Sequence, residues 1–257
     1  KHVVGHGTMC VGIFGAVVPP AANSETTNTE GALTGFGRAG VDVGLPFIAD
    51  VWSTRDPNSG YLPPDQLRAA MWAQEISGPR HVVVFSTGVT NSGEDSPFAL
   101  ASQNVWVVAA GNENKKATTL WPQKHAGLPN HLLVGAVQAP LDNRLPDSNF
   151  GPLVNVAAPS GIYAHWGGPD HFDYVGGTSA SAPVVGAMAA FVRWLMPDLR
   201  AESVVKLIRD TGVRVDQISD WQLEGAELRR VHWMKLIAGI LADSGNPHTL
   251  VVNTKPL

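Results

Sequence analysis

Ser179 stands where a pair of glycines runs into an apolar stretch, in Tyr174-Val175-Gly176-Gly177-Thr178-Ser179-Ala180-Ser181-Ala182-Pro183-Val184. Apolar residues then recur at Val184, Val185, Met188, Phe191, Val192 and Leu195, the spacing of a buried helix. Gly176 and Gly177 permit backbone angles that a Cβ forbids, so the chain can turn sharply into that helix. The first turn of a helix carries free N–H groups and the positive end of the dipole. A hydroxyl placed there suits nucleophilic attack that builds negative charge on a nearby oxygen. The structural alternative is that Thr178 or Ser179 only caps a core helix.

Two more stretches supply the other parts of acyl transfer. Gly5-His6-Gly7-Thr8 opens an apolar run containing Cys10, Val11, Ile13 and Phe14. Val105–Ala110 is a buried-strand pattern that ends in Gly111-Asn112. A base, an amide donor and a hydroxyl, each at the end of a buried element, are what nucleophilic acyl transfer needs. Singly, His6 is equally a surface histidine near a chain end, and Gly-Asn a common turn pair. Together the blocks GHGTMCVG, VVAAGNEN and GTSASAP resemble, in the same order, the His, oxyanion-Asn and Ser blocks of the subtilisin-like serine peptidases. Weaker matches at 81–88, 120–122, 132–137 and 148–159 extend the resemblance over nearly the whole chain.

The resemblance implies roles. Ser179 would attack a peptide carbonyl, His6 would act as general base, and Asn112 would join the Ser179 N–H in holding the oxyanion. Ser86, Thr87 and Gly88, with Ala110 and Gly111, would flank an extended polypeptide substrate. Glu113 would stand at the rim of the first specificity pocket and Leu120 towards its floor. Glu113 there would favour a basic group, unless it is a solvated surface charge. The family also has an Asp block before its histidine, which orients the imidazole. Only five residues precede His6. The triad Asp is therefore expected from outside this chain, on an N-terminal segment or a second chain. The letters Asp210-Thr211-Gly212-Val213 mimic that block, but Val204, Val205, Leu207 and Ile208 before them have helical spacing. A non-catalytic peptide-binding or regulatory module on the same fold is the alternative function.

Composition bounds the rest. A chain of 257 residues with 44 % hydrophobic and 16 % charged residues can bury a sizeable core, read here as one domain over 1–257. A net charge of −4 gives no electrostatic case for nucleic acid or anionic membranes. No apolar run approaches the roughly 20 residues of a membrane-spanning helix, and Lys1-His2-Val3-Val4-Gly5 is not a signal-peptide pattern. One cysteine excludes an internal disulfide framework and a multi-Cys metal site. The chemistry requires no cofactor, and structural calcium is left open with no ligand set assignable. His165, Asp170, His171 and Asp173 read as a solvated loop rather than a metal site. Compartment is undecided on the residues alone; the resemblance leans towards a secreted protein.

The elements that must position these residues alternate as in βαβ units, giving a three-layer α/β fold with a mostly parallel sheet and helices on both faces. Helices are predicted over about 6–16, 66–76, 97–103, 179–196, 201–210 and 224–242. Strands are predicted over 45–53, 81–87, 105–110, 132–137, 154–157 and 248–253.

Overall fold

Five consecutive buried residues, Val105–Ala109, four of them valine or tryptophan, form a strand covered on both faces. The computed structural model describes residues 9, 10, 13, 55–56, 60–61, 80–86, 89–90, 103–117, 120–121, 126–138, 143–168, 171–215 and 218–243. In chain order the elements around the site are β1 (Val82–Phe85), β2 (Val105–Ala109), β3 (His131–Gln138), β4 (Asn143–Arg144), β5 (Val156–Ser160), β6 (Ile162–Gly168) and β7 (His171–Val175). There follow α1 (Thr178–Leu195), α2 (Ala201–Asp210), β8 (Val213–Arg214), a 3-10 turn (Ile218–Trp221), β9 (Arg229–Arg230) and α3 (Trp233–Asp243). Met9, Cys10 and Ile13 are helical.

Among the described residues the main sheet has seven strands, in the order β8-β9-β5-β3-β2-β1 with β4 against β3. Neighbours from β9 to β1 run parallel; β8 and β4 pair antiparallel. Side chains alternate across it. Val105, Val107, Ala109, Leu132, Val134, Val156 and Ala158 pack on one face against α1, α2, α3 and the helical Met9 and Ile13. Trp106, Val108, Leu133, Val137 and Ala157 pack on the other against Val154, Val215, Trp221, Leu223 and Leu228. The fold is a three-layer α/β arrangement with a mostly parallel sheet. Among the described residues the second face is covered by the 3-10 turn and adjoining loops.

The strands predicted at 81–87, 105–110, 132–137 and 154–157 correspond to β1, β2, β3 and β5, and α1 and α2 lie where periodicity puts them. Two stretches differ. The helix expected from 224 begins only at Trp233, because Glu224 (φ 51°) and Gly225 (φ 92°) adopt left-handed angles that interrupt it. Residues 229–230 instead join the sheet beside β5. The expected loop around His165, His171 and Asp173 is an antiparallel hairpin, with His165 opposite Phe172 and Asp173 opposite Ala164. The helix expected at 66–76 and the strands at 45–53 and 248–253 lie outside the described residues, as does the helix expected at 97–103 except for Gln103, which is in a turn.

Candidate active site

The chain reaches α1 through Gly177, whose φ of 77° and ψ of 179° suit glycine alone. The neighbouring Gly176 needs no such angle, so the special conformation belongs to one glycine of the pair. No side chain of the helix's own start caps it. This sets aside the capping alternative for Thr178 and Ser179. The cap comes instead from the loop after β2: Asn112 Oδ1 accepts the Thr178 N–H at 2.8 Å and the Thr178 hydroxyl at 3.1 Å. The Thr178 hydroxyl in turn accepts the Gly111 N–H at 3.1 Å.

That network orients the Asn112 amide. An oxygen that accepts a backbone N–H fixes which end is which, and among the described residues the Nδ2 donors have no acceptor. The Ala180 N–H is taken by the Gly177 carbonyl at 3.1 Å, whereas the Ser179 N–H makes no hydrogen bond among the described residues. Among the described residues, one helix start thus presents two donor groups without an acceptor, from Asn112 and Ser179, at the positive end of an 18-residue helix.

The Ser179 hydroxyl is half-buried and donates to the Ser86 carbonyl at 3.0 Å, just beyond β1. Its own carbonyl lacks the usual helical partner, because Pro183 four residues on has no N–H. The Cys10 thiol donates there at 3.7 Å. Burial pushes that thiol up to about 11, against a smaller lowering from the Ser86 side chain it faces. Cys10 is therefore a neutral thiol at ordinary pH, packed under the serine, with no thiolate to compete as nucleophile. Ser181, fully buried one turn into α1, donates to the Ala158 and Pro159 carbonyls at 3.0 and 3.1 Å and ties the helix start to β5.

The loop carrying Asn112 rests on Asn149, a fully buried residue that sequence reasoning missed. Its Nδ2 donates to the Ala110 carbonyl at 2.8 Å and to Glu113 Oε2 at 2.7 Å. Its Oδ1 accepts the N–H groups of Glu113 and Lys115 at 3.1 and 3.0 Å. Glu113 is thus exposed but held. Ala110 is buried, and the N–H groups of Ala110 and Gly111 are spent on Val134 and Thr178. Ala110, fully buried and with its carbonyl taken by Asn149, therefore presents nothing to a peptide, contrary to expectation, and Gly111 has no free N–H for one. Leu120 pairs with Thr90 in a small antiparallel ladder, its side chain outside the described residues. His6, Thr87 and Gly88 also lie outside them.

Asp210 ends α2 and pairs with Lys206 on the exposed face of that helix. Among the described residues no group of three or more His, Cys, Asp or Glu could hold a metal ion. No described helix is long and apolar enough to cross a membrane.

Residues 1–225 match a family model described as the subtilase family. A cuticle-degrading protease from Metarhizium anisopliae is 27 % identical over 215 residues, 82 % of this chain and 50 % of that protein. An extracellular basic protease from Dichelobacter nodosus is 42 % identical over 93 residues, 34 % of this chain and 15 % of that protein. The chain spans at most half the length of these two relatives. The crystal structure of a cold-adapted subtilisin-like serine proteinase is similar with a TM-score of 0.58 and 26 % identity, covering 68 % of this chain and 64 % of that one.

Proposed function

The chain belongs to the subtilase family, and from that premise we propose that it carries the serine, the histidine and the oxyanion donors of a serine endopeptidase. Ser179 Oγ forms a bond to the scissile carbonyl carbon while its proton passes to His6. The tetrahedral oxyanion sits between Asn112 Nδ2 and the Ser179 N–H. Collapse breaks the C–N bond, His6 returns the proton to the leaving amine, and water then hydrolyses the acyl-serine by the same route. The chemistry needs no cofactor.

The observation that carries this reading is the Asn112 amide, locked by Thr178, whose donors, like the Ser179 N–H beside them, have no acceptor among the described residues. A first-turn N–H is open at any helix start; what supports the oxyanion reading is that Asn112 Nδ2 joins it beside the same serine. Cys10, four residues after His6, has its sulfur 3.7 Å from the Ser179 carbonyl. That short sequence separation supports His6 as the base for this serine. Ser179 Oγ donates to the Ser86 carbonyl, a bond it gives up when its proton passes to His6.

The imidazole needs a carboxylate to orient it, and that group is proposed to come from an Asp-bearing segment of the same protein outside this sequence. The substrate is an extended polypeptide running past Ser86, Thr87 and Gly88 on one side and Gly111 on the other, with Glu113 and Leu120 bounding the pocket for one side chain. The Dichelobacter relative is named an extracellular protease, and the same compartment is proposed here.

The test is fluorophosphonate labelling and peptide hydrolysis by the full-length protein, wild type and Ser179→Ala. Labelling confined to Ser179 and hydrolysis lost in the variant are expected. Hydrolysis undiminished in Ser179→Ala would sink the assignment. A folded wild type that binds peptides but neither labels nor hydrolyses would establish the non-catalytic module instead.

A further inference from the structure

We propose that Asn149 is a positioning residue for the reaction: it holds the loop on which Asn112 is carried, and acts on turnover through Asn112. The proposal rests on the reading of Asn112 as an oxyanion donor. Asn149 bonds to positions on both sides of Asn112 and not to Asn112 itself. Its side chain takes the Ala110 carbonyl, the Glu113 N–H and carboxylate, and the Lys115 N–H, between 2.7 and 3.1 Å. Its own N–H donates to the Gly111 carbonyl at 2.9 Å. An Asn amide has two N–H donors and two acceptor lone pairs, and all are used. Such a group has one orientation, and no other side chain reproduces its pattern.

Further along, the loop is also tied by backbone bonds of Lys115 and Ala117 to Phe150 and by the Lys116–Glu224 pair, but next to Asn112 the side-chain anchors are Thr178 and Asn149. Residues 112–116 are exposed, so no buried side chain anchors it between Ala110 and Ala117. Gly111 (φ 99°) and Asn114 (φ 51°) are both left-handed, a shape the loop would not keep unaided. The packing is close: a Cβ on Gly111 would lie 2.4 Å from Asn149 Nδ2. Neighbouring contacts continue the clamp, from the Asn114 N–H to the Asp147 carbonyl at 2.9 Å and from Arg144 to Asn114 Oδ1 at 3.0 Å. Thr178 grips the loop from the helix side and Asn149 from the opposite side, which leaves Asn112 Nδ2 without an acceptor among the described residues. An oxyanion donor misplaced by about 1 Å loses up to about 10²-fold in rate.

A buried amide that only stabilises the fold would lower stability without regard to Asn112. The deciding experiment is therefore a double-mutant cycle on peptide hydrolysis in the full-length protein, with Asn149→Ala, Asn112→Ala and both. Asn149→Ala is expected to lower kcat by about 10- to 100-fold with KM changed less than about threefold, while in the Asn112→Ala background the same change costs less than about threefold. Equal losses in both backgrounds, or no loss in either, would overturn the proposal. If Asn149→Ala does not fold, Asn149→Ser carries the same cycle, since its hydroxyl retains one donor. Amide hydrogen exchange at Glu113 and Lys115 reads the clamp without reference to activity: it should accelerate in the Asn149 variant, and unchanged exchange overturns the clamp. If Asn112→Ala turns over as fast as wild type, the oxyanion assignment itself falls and this proposal with it, while the exchange result still reports separately on the clamp.

Discussion

Replacing Gly177 by alanine should damage stability and turnover together, whereas the same change at Gly176 should do neither. A Cβ on Gly177 would lie 2.8 Å from Asn112 Oδ1 and 3.1 Å from both its Cγ and Nδ2. The amide has to move, and with it goes the bond from the Thr178 N–H. The backbone adds its own cost, because φ 77° with ψ 179° is a region almost reserved for glycine. That strain is about 1–3 kcal/mol. Loss of one hydrogen bond at the helix start adds about 0.5–1.5 kcal/mol. A total of about 2–4 kcal/mol at about 2–4 °C per kcal/mol lowers Tm by about 5–15 °C.

For turnover, a displaced Asn112 amide resembles a missing one. The expected fall is about 10²-fold in kcat, a magnitude carried over from subtilisin, a protein of this same family, and not worked out for this chain. Gly176 is the control. Its nearest neighbour to a Cβ is Ser160 Oγ at 3.9 Å, an ordinary contact, and it has no left-handed angle. Gly176→Ala should stay within about 0.5 kcal/mol of wild type. The assays are thermal unfolding of both variants and steady-state hydrolysis of one peptide substrate by the full-length protein. If Gly177→Ala matched Gly176→Ala in both, the close packing of Asn112 on Gly177 would have no energetic meaning. If Tm fell while kcat held, the cap would be structural only and Asn112 would lose its catalytic assignment.

Asp210→Asn should leave kcat/KM of the full-length protein within about twofold and shift Tm by no more than about 2 °C, since the exposed pair with Lys206 contributes about 0.5 kcal/mol. A collapse of kcat would mean that this carboxylate serves the base. Cys10 should resist alkylation by iodoacetamide until pH approaches 11, where its thiol ionises; brisk labelling of the folded protein at pH 8 would contradict its burial. The same shift sets a stability trend. The unfolded thiol ionises near its ordinary value of 9.0, the folded one near 11, so the folded state holds the extra proton between them. Stability should fall as pH rises through that window, by at most about 3 kcal/mol, and Cys10→Ala should remove that part of the slope in chemical denaturation.

What the sequence disclosed about this site follows from how local each signal is. Gly177, Thr178 and Ser179 are adjacent, and their residue types carry the turn into a helix and the hydroxyl at its start, so that element was legible. β2 was legible for the same reason, since five apolar residues in a row need cover on both faces. Periodicity also resolved Asp210, because the helical spacing of Val204, Val205 and Ile208 outweighs the letters that follow. It failed at 224–230, where the left-handed Glu224 and Gly225 break a run that otherwise reads as helix. Pairing with β5 then makes a strand of Arg229 and Arg230. Asn149 was illegible for a deeper reason: Ser148-Asn149-Phe150-Gly151 reads as a polar turn, and its bonds reach back 34 to 39 residues. Nothing in either stretch announces the other. Pairings of that kind arise only when β2, β3 and β5 stack in parallel and bring the loop after one strand beside the segment leading into another. The residues that do chemistry can therefore be named from local type and order, while those that hold them in place depend on topology. Asn149 and Gly177 test that division: each should change turnover through Asn112, without being placed to touch the reacting atoms itself.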